Sequence, residues 1–105
     1  MLRITTERKI YACREPVDMR KSFDGLIAVT ANNLKEDPLS GAIFLFRNKS
    51  SNYVKLLVWD RTGYVLYAKR LERGKFKILI DAEKQVISEQ QLFFLLDGIP
   101  IGRRG

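Results

Sequence analysis

Residues 42–71 read AIFLFRNKSSNYVKLLVWDRTGYVLYAKRL. Within this stretch, three segments rich in aromatic, β-branched and leucine residues predict β-strands at 42–47, 53–60 and 64–71. Polar residues at 48–52 and the sequence Asp60-Arg61-Thr62-Gly63 predict the turns between these strands. Strands joined by connections this short run antiparallel. The stretch therefore predicts a meander at the centre of the fold.

Shorter apolar segments predict further strands on either side of the meander. Lys9–Cys13 is expected to form the first strand, because Glu15-Pro16 follows it and interrupts the pattern. Phe76–Ile80 is expected to form a fourth strand after the three of the meander. The sequence thus predicts a sheet of four or five strands.

A first helix is predicted between Cys13 and the meander. Asp18 is a candidate N-cap, and Lys35–Gly41, which contains Pro38, is expected to be a loop. Apolar residues between them recur at helical spacing and form one face: Met19, Phe23, Leu26, Ile27, Ala31 and Leu34.

A second helix is predicted near the end of the chain. Ser88-Glu89-Gln90-Gln91 fits the capping-box pattern, with Ile87 and Leu92 placed as a hydrophobic staple. Gly98 stands where a C-cap glycine is expected.

These elements predict the fold class. We expect a single α+β domain over residues 1–105, with an antiparallel sheet of four or five strands and both helices packed on one face. Ten side chains are expected to be mostly buried: Met19, Phe23, Leu26, Ile27, Phe44, Phe46, Leu57, Trp59, Leu92 and Leu96.

The composition argues against an enzyme. The chain has no histidine and one cysteine, so Ser-His and Cys-His dyads and thiolate zinc clusters are excluded. Asp18, Asp24 and Asp60 could supply metal-binding carboxylates, but helix capping, surface charge and turn formation are their more ordinary uses. We expect no catalytic residue, no metal and no cofactor. Cys13 is expected to be a buried small side chain rather than a reactive thiol.

The positive charge is concentrated in one part of the chain. The formal net charge is +7, and residues 47–77 contain nine Lys and Arg against only two acids, whereas the remainder is neutral. Such a distribution is typical of a surface that binds phosphate. The alternative is a solvated sheet face whose lysines discourage aggregation between sheet edges.

DNA binding through this basic strand-turn surface is therefore predicted. The side chains expected to contribute are Arg47, Lys55, Lys69, Arg70, Arg73, Lys75 and Lys77, with Arg20 and Lys21 adding to them. Arg20 and Lys21 are predicted in the first turn of the first helix, where cations oppose the helix dipole and a bound anion would compensate them. The alternative is that Arg20 pairs with Asp24 while Lys21 is solvated.

Five ordered motifs carry a resemblance to a known family. They are DMRKSFDGL at 18–26, GAIFLFRN at 41–48, KLLVWD at 55–60 with Gly63, YAKRLERGKF at 67–76, and LLDGI at 95–99. Together they resemble the TnpB-type accessory protein, encoded by the second open reading frame, of insertion-sequence-66-family bacterial transposons. The resemblance covers roughly residues 9–99.

The resemblance implies an accessory role in DNA transposition, with a separate, larger transposase subunit as partner. The resemblance thus indicates the process in which the protein takes part, and the charge pattern predicts DNA as a second partner. The rival hypothesis is an adaptor that binds the transposase without contacting DNA, through Trp59, Tyr67 or the apolar edge of the meander. The chain shows no signal-peptide pattern and no apolar run of membrane-spanning length, so we expect a cytoplasmic protein without a membrane partner.

Overall fold

The computed structural model describes residues 8–78 and 80–97. Its strands are β1 (Ile10–Cys13), β2 (Ile43–Arg47), β3 (Tyr53–Trp59), β4 (Tyr64–Arg70) and β5 (Lys84–Ile87), and its helices are α1 (Phe23–Asn32) and α2 (Glu89–Leu96). The strands form one sheet in the order β4-β3-β2-β1-β5. The predicted α+β class, with five strands and two helices, is confirmed.

The sheet is mixed, whereas a purely antiparallel sheet was predicted. β1 and β2 are parallel, with Tyr11 opposite Phe44, and the other three strand pairs are antiparallel. The reason is the connection between β1 and β2, which contains α1 and so returns the chain to the end of the sheet where β1 began. The rule that short connections join antiparallel strands applies to the pairs β2–β3 and β3–β4, but not to the long connection between β1 and β2.

The two helices lie on opposite faces of the sheet, so the prediction of a single helical layer was wrong. Leu26 of α1 packs in one cluster with Phe44, Phe46 and Leu57. Leu92 and Leu95 of α2 pack in the other, with the alternate residues of the same strands, such as Ile43, Leu45 and Leu56. Because both faces are covered, β2 and β3 are buried along almost their whole length.

The first helix begins later than predicted. Its N-cap is Ser22, and Asp18 instead closes a turn by accepting a hydrogen bond from the backbone N–H of Arg20 at 2.9 Å. Arg20 and Lys21 therefore precede the helix rather than opposing its dipole. The shift also moves Phe23 into the first turn, where it is 42% exposed instead of buried.

Among the described residues of the predicted strand Phe76–Ile80, only Ile78 makes an isolated β-bridge and no strand forms, and β5 at Lys84–Ile87 was not predicted. The chain leaves β4 at one edge of the sheet and must reach the opposite edge beside β1. The described residues 71–78 and 80–83 lie in this crossing at the end of the sheet, where Phe76 is buried and its N–H donates to the Ser51 carbonyl at 2.6 Å. The apolar character of Phe76, on which the strand prediction relied, thus reflects its burial in the core at this crossing.

The start of α2 matches the prediction. Ser88 Oγ accepts from Gln91 N–H at 3.0 Å, and Gln91 Oε1 accepts from Ser88 N–H at 2.8 Å. The predicted C-cap at Gly98 lies outside the described residues. Of the ten predicted core residues, Leu26, Phe44, Phe46, Leu57 and Leu92 are buried, whereas Met19, Ile27, Trp59 and Leu96 are half-buried.

Candidate nucleic-acid interface

The sheet topology gathers three basic segments at one end of the molecule. β1, β2 and β4 finish at this end, and β3 begins there. The segments that follow or precede them, 14–22, 47–52 and 70–77, are therefore neighbours, and we call them the basic end. They contain nine Lys and Arg against three acids, and residues 80–84, which lead into β5 at the same end, add Asp81, Glu83 and Lys84.

Hydrogen bonds to backbone carbonyls join the three segments of the basic end to one another. Val17 N–H donates to the Arg47 carbonyl at 2.8 Å, which connects the first segment to the second. Leu71 N–H donates to the Asn52 carbonyl at 2.8 Å, and Ser51 Oγ donates to the Phe76 carbonyl at 2.8 Å, which connects the second to the third. The charges at this end are thus presented on a cross-linked set of loops.

Six of the cations at the basic end are exposed, and the described part of the chain provides no acidic partner for any of them within ion-pairing distance. They are Lys21, Lys49, Arg70, Arg73, Lys75 and Lys77. Lys49 is the one member that was not among the predicted binding residues. Its position in the β2–β3 turn could have suggested it, since turn cations reach phosphates readily.

Lys55 lies inside the molecule, contrary to its prediction as a DNA-contacting residue. Its side chain faces α1, the residue is only 8% exposed, and Nζ donates to the carbonyls of Met19 and Lys21, both at 2.8 Å. A buried ammonium needs such partners to offset its lost hydration. Lys55 therefore holds the segment that precedes α1 and is inaccessible to a phosphate.

Lys69 and Arg47 are also engaged with backbone carbonyls. Lys69 Nζ donates to the Leu96 carbonyl at 2.6 Å, where a cation suits the negative end of the α2 dipole. Arg47 Nη2 donates to the Arg14 carbonyl at 2.6 Å and so connects the ends of β1 and β2. Both side chains are part-buried, and both contacts hold elements of the fold together.

Arg20 is exposed but already paired. Its guanidinium donates to both carboxylate oxygens of Asp18, with an Nη2–Oδ2 distance of 2.6 Å. The side-chain hydrogen bond from Arg20 lowers the pKa of Asp18 to about 2. The predicted alternative, a pair between Arg20 and Asp24, is not formed. The charge of Arg20 is therefore balanced by Asp18 and adds little to the net positive charge of the basic end.

A shallow groove opens at the basic end between the segment before α1 and the β2–β3 turn. Its volume is about 580 Å³. The side chains that line it are Pro16, Val17, Asp18, Met19, Arg20, Asn48, Lys49, Ser50 and Tyr53. Tyr53 was not predicted as a site residue. Its ring lines the groove together with Lys49, and Tyr53 lies opposite Arg70 of β4 in the sheet.

The opposite end of the sheet is balanced in charge. Segments 8–9, 33–42 and 60–63, with Glu89 at the start of α2, contain four basic and four acidic residues. Arg8 and Arg61 lie within 3.6 Å and 3.9 Å of Asp60, and Lys84 extends to an ion pair with Glu36. The contrast between the two ends makes the basic end the candidate site.

A reactive thiol, a metal site and a membrane-spanning helix have less support in the described residues than the basic end. Cys13 is buried, as predicted, and burial raises the pKa of its thiol, which disfavours the reactive thiolate. Across residues 8–78 and 80–97, no three His, Cys, Asp or Glu side chains come together in a way that could hold a metal ion. In the same residues, no helix has the length and apolar character needed to cross a membrane.

Comparison with known proteins agrees with the motifs. The model of a family described as IS66 Orf2 like protein matches residues 8–105. The chain belongs to the IS66 Orf2-like family. The resemblance inferred from the five motifs is thereby confirmed, and membership supports an accessory role in transposition for this IS66 Orf2-like chain.

Two relatives of the IS66 Orf2-like chain come from Sinorhizobium fredii. It is 40% identical to the uncharacterized protein y4jC over 68 residues, which are 65% of this chain and 58% of y4jC. It is 37% identical to the uncharacterized protein y4hO over 93 residues, which are 87% of this chain and 80% of y4hO. The match thus spans less than two thirds of y4jC. No solved structure matches.

Proposed function

We propose that this IS66 Orf2-like protein is a non-catalytic accessory protein of transposition that binds DNA through its basic end. The observation that carries the proposal is a set of six exposed cations, on loops joined by hydrogen bonds, for which residues 8–78 and 80–97 provide no acidic partner. DNA presents a dense row of phosphates, and each cation that neutralises one releases a condensed counterion.

The geometry narrows the set of contacting residues. Arg70, Arg73, Lys75 and Lys77 follow one another around the end of β4 and the crossing segment, and Lys49 and Lys21 lie on the adjoining loops. Lys55 and Arg47 hold these loops through backbone carbonyls, and Lys69 holds the end of α2, so we assign none of the three to phosphate contact. A single phosphate chain that passes the end of the sheet would meet four or five of the six cations.

Salt dependence tests this proposal. If four or five phosphates are neutralised, log K should fall with log salt concentration at a slope of about −4. The triple variant R73Q/K75Q/K77Q should flatten the slope to about −1 and weaken binding at least about tenfold on every sequence, because phosphate contacts carry no sequence information. Fluorescence anisotropy with labelled DNA at several salt concentrations measures both quantities.

The matched control removes the same charge from the balanced end. K9Q/K35Q/R61Q lowers the net charge by the same three units, and these side chains are exposed. We expect its slope to stay near −4. Equal losses in the two triple variants would contradict a localised site, because net charge alone would then explain the binding.

The rival function, an adaptor that binds transposase without DNA, predicts a different result. Tyr67 of β4 and Phe93 and Phe94 of α2 are exposed and could form a protein contact. If the pure protein binds neither duplex nor single-stranded DNA at low salt, but co-purifies with transposase after nuclease treatment, the adaptor function replaces the proposed one.

A further inference from the structure

The groove at the basic end has the size and lining of a ligand site. Its volume of about 580 Å³ falls in the range of about 300–1,000 Å³ that is usual for small-ligand pockets. Pro16, Val17 and Met19 provide an apolar wall, the Tyr53 ring provides an aromatic one, and Asn48 and Ser50 add polar groups. Such a combination suits a flat, partly polar ring.

Hydrogen bonds hold both sides of the groove in place. On one side, the Lys55 ammonium holds the Met19 and Lys21 carbonyls. On the other, Asn48 Oδ1 accepts from the N–H groups of Asn52 and Tyr53 at 3.0 and 3.1 Å, which closes the β2–β3 turn. The groove is thus preformed, so a ligand would not have to order it on binding.

The Tyr53 ring and the charges around it indicate the class of ligand. Lys55 Nζ lies 5.8 Å from the ring centroid, and the half-buried ring also lines the groove. Lys49 lies on the groove rim, and Arg70 is directly opposite Tyr53 in the neighbouring strand, on the same face of the sheet. The negative charge of Asp18 is offset by its ion pair with Arg20, so the remaining charges near the ring are positive.

We propose that this groove receives an unpaired base of single-stranded DNA, which stacks on Tyr53 while Lys49 and Arg70 bind the adjacent phosphates. The inference rests on the proposed function and deepens it. An aromatic ring flanked by cations is the usual arrangement for sequence-tolerant binding of single strands. In a duplex, each base is already stacked between its neighbours. The phosphates of a duplex could therefore bind the cations, but its bases could not stack on the Tyr53 ring.

Tyr53 variants test the groove. Fluorescence anisotropy with a short oligothymidine and with a duplex of equal length measures both affinities at one salt concentration. Tyr53→Leu removes the ring and keeps apolar volume, and we expect single-strand affinity to fall about tenfold with duplex affinity unchanged. Tyr53→Phe keeps the ring and should bind both as the wild type does. In a single strand containing 2-aminopurine, wild type and Tyr53→Phe should quench the fluorescence of the stacked base, and Tyr53→Leu should not.

Each other outcome overturns the inference in a distinguishable way. If Tyr53→Leu binds single strands as tightly as the wild type, the groove is not a base site, although DNA binding by the basic end stands. If Tyr53→Leu loses single-strand and duplex affinity equally, the ring supports the surface and does not stack on a base. If the wild type binds neither DNA, the proposed function and this inference both fail. Unchanged thermal unfolding of the two variants would show that folding is not the cause.

Discussion

At the scale of single residues, the basic side chains divide according to what their charged groups contact. Lys55, Lys69 and Arg47 donate to backbone carbonyls and are at least part-buried, whereas Arg73 and Lys75 are exposed. The linear pattern of charge does not distinguish these two groups. Burial does, because an ammonium without water must find acceptors within the protein.

Replacing Lys55 with Met should destabilise the protein. The substitution keeps the aliphatic stem but leaves the Met19 and Lys21 carbonyls without their donor, so the free energy of unfolding should fall by about 1–3 kcal/mol. Urea denaturation followed by circular dichroism measures the change. Lys49→Met, at an exposed turn position, is the control and should change stability by less than about 0.5 kcal/mol. Equal stability of Lys55→Met and the wild type would show that the two hydrogen bonds do no more than offset the lost hydration of the buried ammonium.

At the scale of elements, the start of α2 could be read from the sequence and the start of α1 could not. The capping box at Ser88 is a local pattern in which both hydrogen bonds join residues three apart. The start of α1 depends on a distant residue, because Lys55 in β3 holds the segment before the helix. Asp18 has the chemistry of an N-cap but forms a turn with Arg20.

Removing the Ser88 cap should lower stability measurably. Ser88→Ala deletes the acceptor for Gln91 N–H, and the free energy of unfolding should fall by about 1 kcal/mol. Gln91→Ala removes the reciprocal bond, and the double variant should lose less than the sum of the two single losses because the bonds form as a unit. Thermal or urea unfolding measures the cycle, and Ser50→Ala in an exposed turn serves as control. Additive losses would indicate that the two bonds act independently.

At the scale of the whole molecule, helices cover both faces of the sheet, and the candidate site lies at one end of it. α1 and α2 cover the two faces, so β2 and β3 carry apolar side chains on both sides. What remains accessible is the pair of sheet ends and the edges. This leaves room for a charged surface and a shallow groove rather than for a deep catalytic cleft.

The purified protein should not cleave DNA. Phosphodiester hydrolysis needs a metal held by converging carboxylates or an activated nucleophile. Asp24 lies exposed in the first turn of α1, and the described residues bring no group of carboxylates together. Supercoiled plasmid incubated with the protein and magnesium or manganese should therefore stay intact, although bound protein should retard it on a gel. Nicking that survives repurification and disappears in Asp24→Ala would identify Asp24 as a metal ligand and contradict the non-catalytic role.

By itself, the sequence determined the features that depend on neighbouring residues or on total composition. The strands of the meander, its tight turns and the capping box are local, and the five motifs and the charge pattern need no coordinates. The absence of histidine likewise limits the chemistry before any fold is known.

Only the tertiary structure decided the features that depend on residues far apart in the chain. The parallel pairing of β1 with β2, the pairing of β1 with β5, and the helices on opposite faces follow from crossings of more than ten residues, whose direction no local pattern encodes. The same holds for the site. Lys55 and Arg73 look alike in the sequence, but the sheet buries the first and exposes the second, and it places Tyr53 beside Arg70. Whether a cation can bind phosphate depends on access to solvent, and that is a property of the folded chain.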